Sequence, residues 1–137
     1  MTVFEMIVAR KIPSHIVYED DLVIAFLDIQ QTTKGHTLIV PKEPYENIFD
    51  MPKDLLKHLI AVTQKLAFSI KNAFNASGIN LLNNNGVVAG QTVFHYHFHI
   101  IPRYEDDNFD ITFSNNADQL NEDDYKNRAA LIKAALS

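Results

Sequence analysis

Three histidines alternate with large apolar residues in the second half of this 137-residue chain. The segment reads Val-Phe-His-Tyr-His-Phe-His-Ile-Ile over residues 93–101. Because side chains of a β-strand alternate between two faces, a strand here would place His95, His97 and His99 on one face, each about 6.6 Å from the next. Three imidazoles on one face lose hydration and need partners, unlike a lone core histidine. The pattern therefore indicates a chemical site, backed by an apolar face of Phe94, Tyr96, Phe98 and Ile100.

Such a row of imidazoles supports two kinds of chemistry. A neutral imidazole can attack phosphorus and form a covalent phosphoramidate, provided that an acceptor holds its other nitrogen. Alternatively, three imidazoles could ligate zinc and leave the fourth position open. Zinc hydrolases of the metallo-β-lactamase type continue into an Asp-His pair, whereas His99 is followed by Ile100 and Ile101 and by no further histidine. Phosphorus chemistry is therefore favoured over a metal-dependent hydrolase.

Polar residues beside the histidine segment offer groups that bind a phosphate or a sugar. Gly90-Gln91-Thr92 immediately precedes the segment and offers close backbone approach, an amide and a hydroxyl, while Asn84 adds a further amide. Asp28 ends an apolar run, where a buried carboxylate needs partners, and a carboxylate suits the two hydroxyls of a ribose. Ordinary turn chemistry is the alternative for all of these residues.

The composition fits one globular domain and excludes several classes of protein. Hydrophobic residues make up 47% of the chain and charged residues 21%, and the net charge of −5 argues against a nucleic-acid backbone as the partner. The chain has no cysteine, so a disulfide framework or a thiolate zinc site is impossible. Neither a signal peptide nor a membrane-length apolar run is evident. We expect a cytoplasmic protein without membrane partners.

Hydrophobic periodicity predicts the secondary structure. Residues 3–11 predict a short helix before Pro13, residues 53–74 a long amphipathic helix after Pro52, and residues 123–136 a last helix. Strands are predicted at residues 15–18, 23–27, 36–40, 79–82 and 92–101. The long helix is expected to bury Leu55, Leu56, Leu59, Ile60, Thr63, Leu66, Ala67, Ile70 and Phe74 and to leave His58 at the surface, while the last helix could dock through Leu131, Ile132 and Leu136. These elements indicate an α+β domain with an antiparallel sheet.

The order His-φ-His-φ-His-φ-φ, in which φ is apolar, is the motif of the histidine triad (HIT) family. The chain resembles this family, and its HINT-like bacterial branch, over a motif-bearing core of about residues 3–104, followed by a variable tail with a helix over about 105–137. Segments that agree in order and spacing are residues 12–13, 17–21, 25–29, 34–42, 82–86 and 89–94. The resemblance implies a single HIT domain over residues 1–137. It also implies a five-stranded antiparallel sheet with one long helix and a short N-terminal helix, paired into a continuous sheet in a homodimer.

The resemblance also implies an activity and a set of site residues. The expected function is hydrolysis or nucleotidyl transfer on purine nucleoside phosphoramidates or related nucleotidyl substrates, through a nucleotidyl-histidine intermediate. His97 would be the nucleophile, with His95, His99 and His36 completing the catalytic set. The expected substrate-binding residues are Asp28 for the ribose, Asn84, Gln91 and Thr92 for the phosphate or leaving group, and Phe4, Ile7, Phe26 and Ile29, with Val3, for the base. A non-catalytic nucleotide-binding or scaffold protein is the alternative, since binding and turnover use the same residues.

The resemblance predicts no metal and no cofactor for this chain. Many bacterial relatives carry a structural zinc held by Cys-x-x-Cys near the N-terminus and by histidines. The corresponding positions here are Thr2, Glu5 and Pro44, with His95 as the remaining one. Because tetrahedral zinc sites want four N or S ligands, the structural site is expected to be lost and its role taken over by packing of the N-terminal helix.

Overall fold

Five strands form one antiparallel sheet in the computed structural model, which describes residues 1–136. The spatial order is β1-β2-β3-β5-β4, with β1 at Ile16–Glu19, β2 at Val23–Leu27, β3 at Thr37–Pro41, β4 at Gly78–Leu82 and β5 at Phe98–Arg103. The helices are α1 (Val3–Val8), α2 (Lys53–Phe74) and α3 (Glu122–Ala135), and single 3₁₀ turns occupy Val87–Ala89 and Ala117–Gln119. The predicted α+β class and five-stranded antiparallel sheet are confirmed.

The two central strands are buried on both faces and divide the core into two layers. Side chains of β2 and β3 that point to one face pack with α2, and those of the opposite face pack with α1. The α2 layer contains Val23, Ala25, Ile39, Leu59, Val62, Leu66, Ile70, Tyr96 and Ile100, and the α1 layer contains Phe4, Ile7, Ile24, Phe26, Leu38 and Val40. Double burial explains why β2 reads as a continuous apolar run rather than an alternating one.

Helix α2 begins and ends where the sequence predicted. Pro52 occupies the N-cap, where its missing N–H costs nothing, and Asn75 ends the helix in a left-handed conformation with φ of 53°. Its buried stripe differs from the prediction, because Val62 is buried whereas Ile60 and Phe74 are 42% and 37% exposed. Ile60 lies at the edge of the contact with the sheet, beside an open apolar groove.

Helix α1 is shorter than predicted and ends at Val8 rather than at residue 11. Ala9 closes it with a backbone N–H bond to the carbonyl of Glu5, and Arg10 then adopts a φ of 59°, which no α-helix tolerates. The chain therefore leaves the helix before Pro13 can act as a stop. The buried residues of α1 are Phe4 and Ile7, one turn apart on the face toward the sheet.

The predicted fifth strand is wrong in its first half, since β5 begins at Phe98. Among the described residues, 92–97 pair with no strand, and the N–H of Tyr96 donates instead to the carbonyl of Tyr45 at 2.6 Å. The predicted alternation nevertheless survives, because His95 and His97 lie near Phe4 whereas Tyr96 packs with the α2 layer. Phe94 does not follow this alternation, because it was predicted on the apolar face and its side chain is 41% exposed.

Beyond Arg103 the tail forms irregular backbone and then α3. Arg103 fixes the start of the tail through paired hydrogen bonds to Asp107 at 2.9 and 3.0 Å. Helix α3 buries none of its side chains, so Leu131, Ile132 and Leu136 do not dock onto their own chain as the sequence suggested. Within residues 1–136, none of the helices combines the length and the apolar character that a membrane crossing requires.

Candidate functional site

A cavity of about 510 Å³ lies between α1, the end of β2 and the histidine segment. Its wall is mostly apolar, and polar groups gather at one side and at the rim. The apolar lining includes Val3, Phe4, Ile7, Ile12, Phe26, Leu38 and Val93, and the polar lining includes Ser14, His15, Asp28, Gln30, Thr92, His97 and His99. An apolar slot with a few converging polar groups is the usual form of a small-molecule site.

The backbone fixes the tautomer of His97. Its Nδ1 lies 2.7 Å from the carbonyl oxygen of His95, which can only accept, so Nδ1 carries the proton and donates. The other nitrogen, Nε2, therefore keeps its lone pair. Phe4 holds the ring edge-on at a centroid distance of 5.0 Å, and the side chain of Asn83 donates to the carbonyl of His97 at 2.9 Å. The site thus presents an oriented, unprotonated nitrogen at the cavity wall.

A chain of hydrogen bonds also fixes His36 and His99. The backbone N–H of Thr32 donates to Nδ1 of His36 at 3.3 Å, so the proton of a neutral His36 sits on Nε2. That Nε2 lies 2.9 Å from Nδ1 of His99 and donates to it, which leaves Nε2 of His99 as the protonated nitrogen. His99 lines the cavity, whereas His36 stands behind it at 3% exposure. His99 can therefore donate a hydrogen bond while His97 offers a lone pair.

Burial keeps these histidines neutral. Loss of hydration lowers the pKa of His36, His95 and His97 below its usual value. The pKa of His99 falls to about 4, first because of burial and then because His97 and His36 lie beside it. Uncharged imidazoles are the form that nucleophilic attack requires. The site is therefore poised for nucleophilic chemistry at neutral pH.

Asp28 lies at the end of β2 on the polar side of the cavity. Its Oδ1 accepts a hydrogen bond from the backbone N–H of Gln30 at 2.8 Å, and its Oδ2 lies 3.7 Å from Nε2 of His36. Turn capping, the alternative role for Asp28, therefore accounts for only one of its two carboxylate oxygens. The other oxygen stays available beside the cavity, with the side chain 15% exposed.

The predicted base-binding residues are brought together. Phe4 and Phe26 meet edge-to-face at 5.6 Å, and Ile7 packs with them. Ile29 lies at the rim and is 93% exposed in the chain as it stands. If a flat aromatic group enters the cavity, Ile29 can fold over it, and the Ile29 side chain would then be removed from water.

The predicted phosphate-binding residues separate into two groups. Thr92 lines the cavity, but Gln91 and Asn84 are not among the residues that do. Gln91 is 3% exposed, and its amide is used by the N–H of Gly86 and the carbonyl of Val93 in its own loop and by the carbonyl of Glu46 in the loop after β3. It shapes the loop that carries Thr92 to the cavity, and its direct contact with a substrate stays a prediction.

Some residues around the site escaped the sequence analysis. Asn83 positions His97 through its carbonyl and is itself held by Asn85 at 2.9 Å. In the sequence it is one of three consecutive asparagines, so composition gave no means of telling it from Asn84. His15 and Ser14 lie at the rim, where only the three-dimensional approach of β1 and β2 could place them.

The three triad histidines do not converge on one point, which speaks against the metal-dependent hydrolase. His95 donates from Nε2 to the carbonyl of Pro41 at 2.7 Å, and His97 donates from Nδ1 to the carbonyl of His95. His99 faces His36. Each imidazole thus has one ring nitrogen in a hydrogen bond, and the three bonds go to different partners. An ion shared by all three rings would require at least two of these hydrogen bonds to break.

The positions of the relatives' structural zinc do not fit a metal here. Thr2 and Glu5 form a capping box, in which the Thr2 hydroxyl accepts the N–H of Glu5 and the Glu5 carboxylate accepts the N–H of Thr2, both at 3.1 Å. Pro44 has no side-chain donor, and Nδ1 of His95 is buried without a hydrogen-bond partner among the described residues. The first turn of α1 is therefore held by a cap and by the packing of Phe4.

Comparison with known proteins agrees with this geometry. The family model of the HIT domain matches residues 9–106. "Protein hit" of Bacillus subtilis is 46% identical over 136 residues, covering 98% of this chain and 94% of that protein. The crystal structure of a B. subtilis HIT family member superposes with a TM-score of 0.95 at 45% identity, covering 99% of this chain and 97% of that one.

One relative has an enzymatic name. Adenylylsulfatase HINT3 of Arabidopsis thaliana is 37% identical over 105 residues, covering 77% of this chain and 53% of that protein. The family match and the similarity to the B. subtilis protein extend over the histidine segment and the strands that carry it. This chain belongs to the HIT family.

Proposed function

We propose that this chain is a nucleotide-binding hydrolase or nucleotidyl transferase that acts on purine nucleoside phosphoramidates or related nucleotidyl substrates. The observation that carries the proposal is the oriented lone pair on Nε2 of His97 at the wall of an apolar cavity. The family includes an enzyme named an adenylylsulfatase, so a nucleotidyl substrate suits the fold. The cavity would hold the base against Phe4 and Phe26 and the ribose against Asp28.

The reaction follows from the two tautomers. Nε2 of His97 attacks phosphorus and forms a P–N bond, while the bond from phosphorus to the leaving amine or oxyacid breaks. Water protonates an amine as it leaves, while Nε2–H of His99, on the same wall, donates a hydrogen bond to the reacting phosphate. The carbonyl of His95 stabilises the positive charge on the His97 ring. Hydroxide, formed when water gives its proton to the leaving amine or to the solvent, then attacks the nucleotidyl-histidine, breaks the P–N bond, and releases neutral His97 and the nucleoside monophosphate.

The charge of the site favours a substrate with one reacting phosphate. Neither lysine nor arginine is among the described residues that line the cavity. Lys42 pairs with Glu19 at 2.8 Å and Arg103 with Asp107. Phosphate binding would rest on imidazoles, the hydroxyl of Thr92 and backbone groups, which offset less charge than a triphosphate carries. Phosphoramidates and adenylate-type substrates fit this limit.

A single-turnover experiment tests the proposal. Enzyme in excess over an adenosine phosphoramidate labelled in its phosphate is expected to accumulate an acid-labile protein adduct and then release labelled monophosphate. Direct attack by water would give product without any adduct. Tight binding of the nucleotide with neither adduct nor product would instead support the non-catalytic binding or scaffold alternative.

We also propose that the chain forms a homodimer. The exposed face of α2 and the edge strand β4 enclose an apolar groove of about 840 Å³, lined by residues such as Ile60, Phe68 and Leu81. Phe68 is 65% exposed and Leu81 50%, which is costly for a lone chain, and β4 offers an unpaired edge. Pairing of two copies through this face would bury the groove and continue the sheet.

Sedimentation equilibrium at micromolar concentration measures the dimer directly. The expected mass is twice the 15.6 kDa of one chain. Phe68→Asp places a charge in the groove and is expected to shift the equilibrium toward the monomer, whereas Ser69→Asp, on the neighbouring exposed position, is the matched control. A wild-type protein that sediments as a single chain would contradict the proposal.

A cytoplasmic location is also part of the proposed function and rests on the cysteine-free composition.

A further inference from the structure

Asp28, His36 and His99 bring three ligand atoms within 4.8 Å of one another. Nε2 of His36 lies 2.9 Å from Nδ1 of His99 and 3.7 Å from Oδ2 of Asp28. Zinc bonds of about 2.0–2.1 Å in tetrahedral geometry separate neighbouring donors by about 3.3–3.4 Å. Two of the three separations lie on either side of that value and the third is at most 4.8 Å, so shifts of no more than about 1.5 Å would bring the donors to three corners of a tetrahedron.

We propose that these three residues form a regulatory site for a divalent transition metal, with Zn²⁺ as the ion that suits them, and that the bound ion excludes the nucleotide. Two imidazoles and one carboxylate are a donor set that zinc takes readily, with a water in the fourth position. Metal binding is a property of these side chains alone. The exclusion of the nucleotide rests on the function proposed above.

The surroundings orient the donors. Oδ1 of Asp28 already accepts the N–H of Gln30, which leaves Oδ2 as the free ligand on the side toward His36. His36 is 3% exposed, its carbonyl accepts the backbone N–H of Asp28 at 3.0 Å and its ring accepts that of Thr32, so the ring is positioned before an ion arrives. Preorganised donors lose little freedom when they bind an ion.

The ion would replace a proton. Without an ion, Nε2–H of His36 donates a hydrogen bond to Nδ1 of His99. When zinc binds both nitrogens, this proton is lost from Nε2, Nδ1 of His36 becomes the protonated nitrogen, and the long 3.3 Å bond from Thr32 is given up. No net proton release is required, because His36 stays neutral in both states.

Competition with the nucleotide follows from shared groups. Asp28 and His99 both line the cavity, and the ion would occupy the carboxylate oxygen that the ribose hydroxyls are proposed to use. It would also replace the hydrogen bond by which His36 orients the ring of His99. By linkage, each ligand must weaken the other by the same factor. The ion is therefore an inhibitor, and chelator-treated protein is expected to keep its full turnover and melting temperature.

Cobalt binding to the full chain tests the site without any use of turnover. Chelator-treated protein titrated with Co²⁺ is expected to develop the visible absorption of a tetrahedral ion, which one equivalent of Zn²⁺ abolishes. Asp28→Asn and His36→Gln are each expected to weaken cobalt binding at least about tenfold. His58→Gln is the matched control, because it removes a histidine that pairs with a carboxylate, Asp20 at 2.7 Å, outside the cavity. Circular dichroism establishes that each variant is folded.

Adenosine monophosphate provides the second measurement, on the wild-type protein only. Saturating Zn²⁺ is expected to raise the apparent Kd of the nucleotide, and saturating nucleotide to raise that of Co²⁺ by the same factor. Wild-type protein without the cobalt spectrum, or cobalt affinity lost in His58→Gln and kept in Asp28→Asn, would overturn the site. Unchanged nucleotide affinity in zinc would overturn the exclusion. Failure of the nucleotide to bind even without zinc would count against the proposed function, and the cobalt titration would still decide the metal site.

Discussion

His97→Ala is expected to reduce the turnover rate by about four orders of magnitude or more, while the nucleotide still binds. The methyl group has no lone pair, so the covalent step disappears, and the hydrogen bond to the carbonyl of His95 disappears with it. The aromatic wall of Phe4 and Phe26 and the carboxylate of Asp28 remain to hold the base and ribose. The loss should therefore fall on kcat and leave the affinity for adenosine monophosphate within a few-fold of wild type, about 1 kcal/mol or less.

Two measurements check this result. Single-turnover quenching should show no protein adduct in His97→Ala, and calorimetry should show nucleotide binding. His58→Gln, a histidine on α2 that contacts Asp20 and not the cavity, is the control and should form the adduct at the wild-type rate. Substantial turnover in pure His97→Ala would show that another group or water attacks phosphorus.

Local signals in the sequence were sufficient for the parts of the fold that depend on neighbouring residues. Helix α2 was bounded correctly because Pro52 cannot extend a helix backward and the apolar periodicity stops at Phe74; Gly78 was expected at the helix exit, and in the structure Asn75 takes the left-handed conformation that ends the helix. Strand β2 was bounded correctly because Asp28 follows its five apolar residues directly, and because the acidic turn at Asp20 and Asp21 precedes them. In both cases the deciding residues lie within one turn of the element.

Non-local pairing decided the parts that the sequence analysis missed. Strand β5 pairs with β3 only from Phe98 onward, where Phe98 meets Ile39 and His99 meets Leu38. The residues before it bend at positions 93–95 and lie against the loop that follows β3, and periodicity cannot distinguish a strand from an irregular segment whose side chains alternate in the same way. The same pairing brings His36 to His99 across 63 residues of sequence. Only the family resemblance had indicated His36.

Side-chain direction in loops was equally beyond the sequence. Gln91 is predicted to contact the substrate, and in the chain alone its amide is used by two backbone groups of its own loop and by the carbonyl of Glu46 in the loop after β3. Asn83 was passed over, although its side chain holds the carbonyl of His97. Adjacent asparagines have the same chemistry, and the loop path that separates their roles depends on contacts with residues more than ten positions away.

The turn before His36 is expected to be the most sensitive backbone position of the site. Gly35 has a φ of +95°, and a Cβ there would lie 2.7 Å from the ring of Phe74 and 3.3 Å from Pro102. Gly35→Ala should therefore lower the free energy of unfolding by about 2–5 kcal/mol, of which about 1–2 is the left-handed backbone and about 1–3 is overpacking. Because Gly35 immediately precedes His36, the displacement should also disturb the hydrogen bond to His99 and slow turnover.

Two other glycines separate these contributions in urea unfolding. Gly86 has nearly the same φ, +97°, with a ψ of 155° that side chains other than glycine rarely adopt, but an added Cβ would meet no atom within 4 Å, so Gly86→Ala should cost only the backbone part, about 1–3 kcal/mol. Gly78 is free of both restrictions, and Gly78→Ala should be neutral or stabilising by up to about 1 kcal/mol. Combining Gly35→Ala with Phe74→Ala removes the overlapping ring, so the double variant should lose less stability than the sum of the two single variants. Equal losses in Gly35→Ala and Gly86→Ala, with additive behaviour of the pair, would mean that Phe74 yields freely and that the end of α2 does not fix the turn that carries His36.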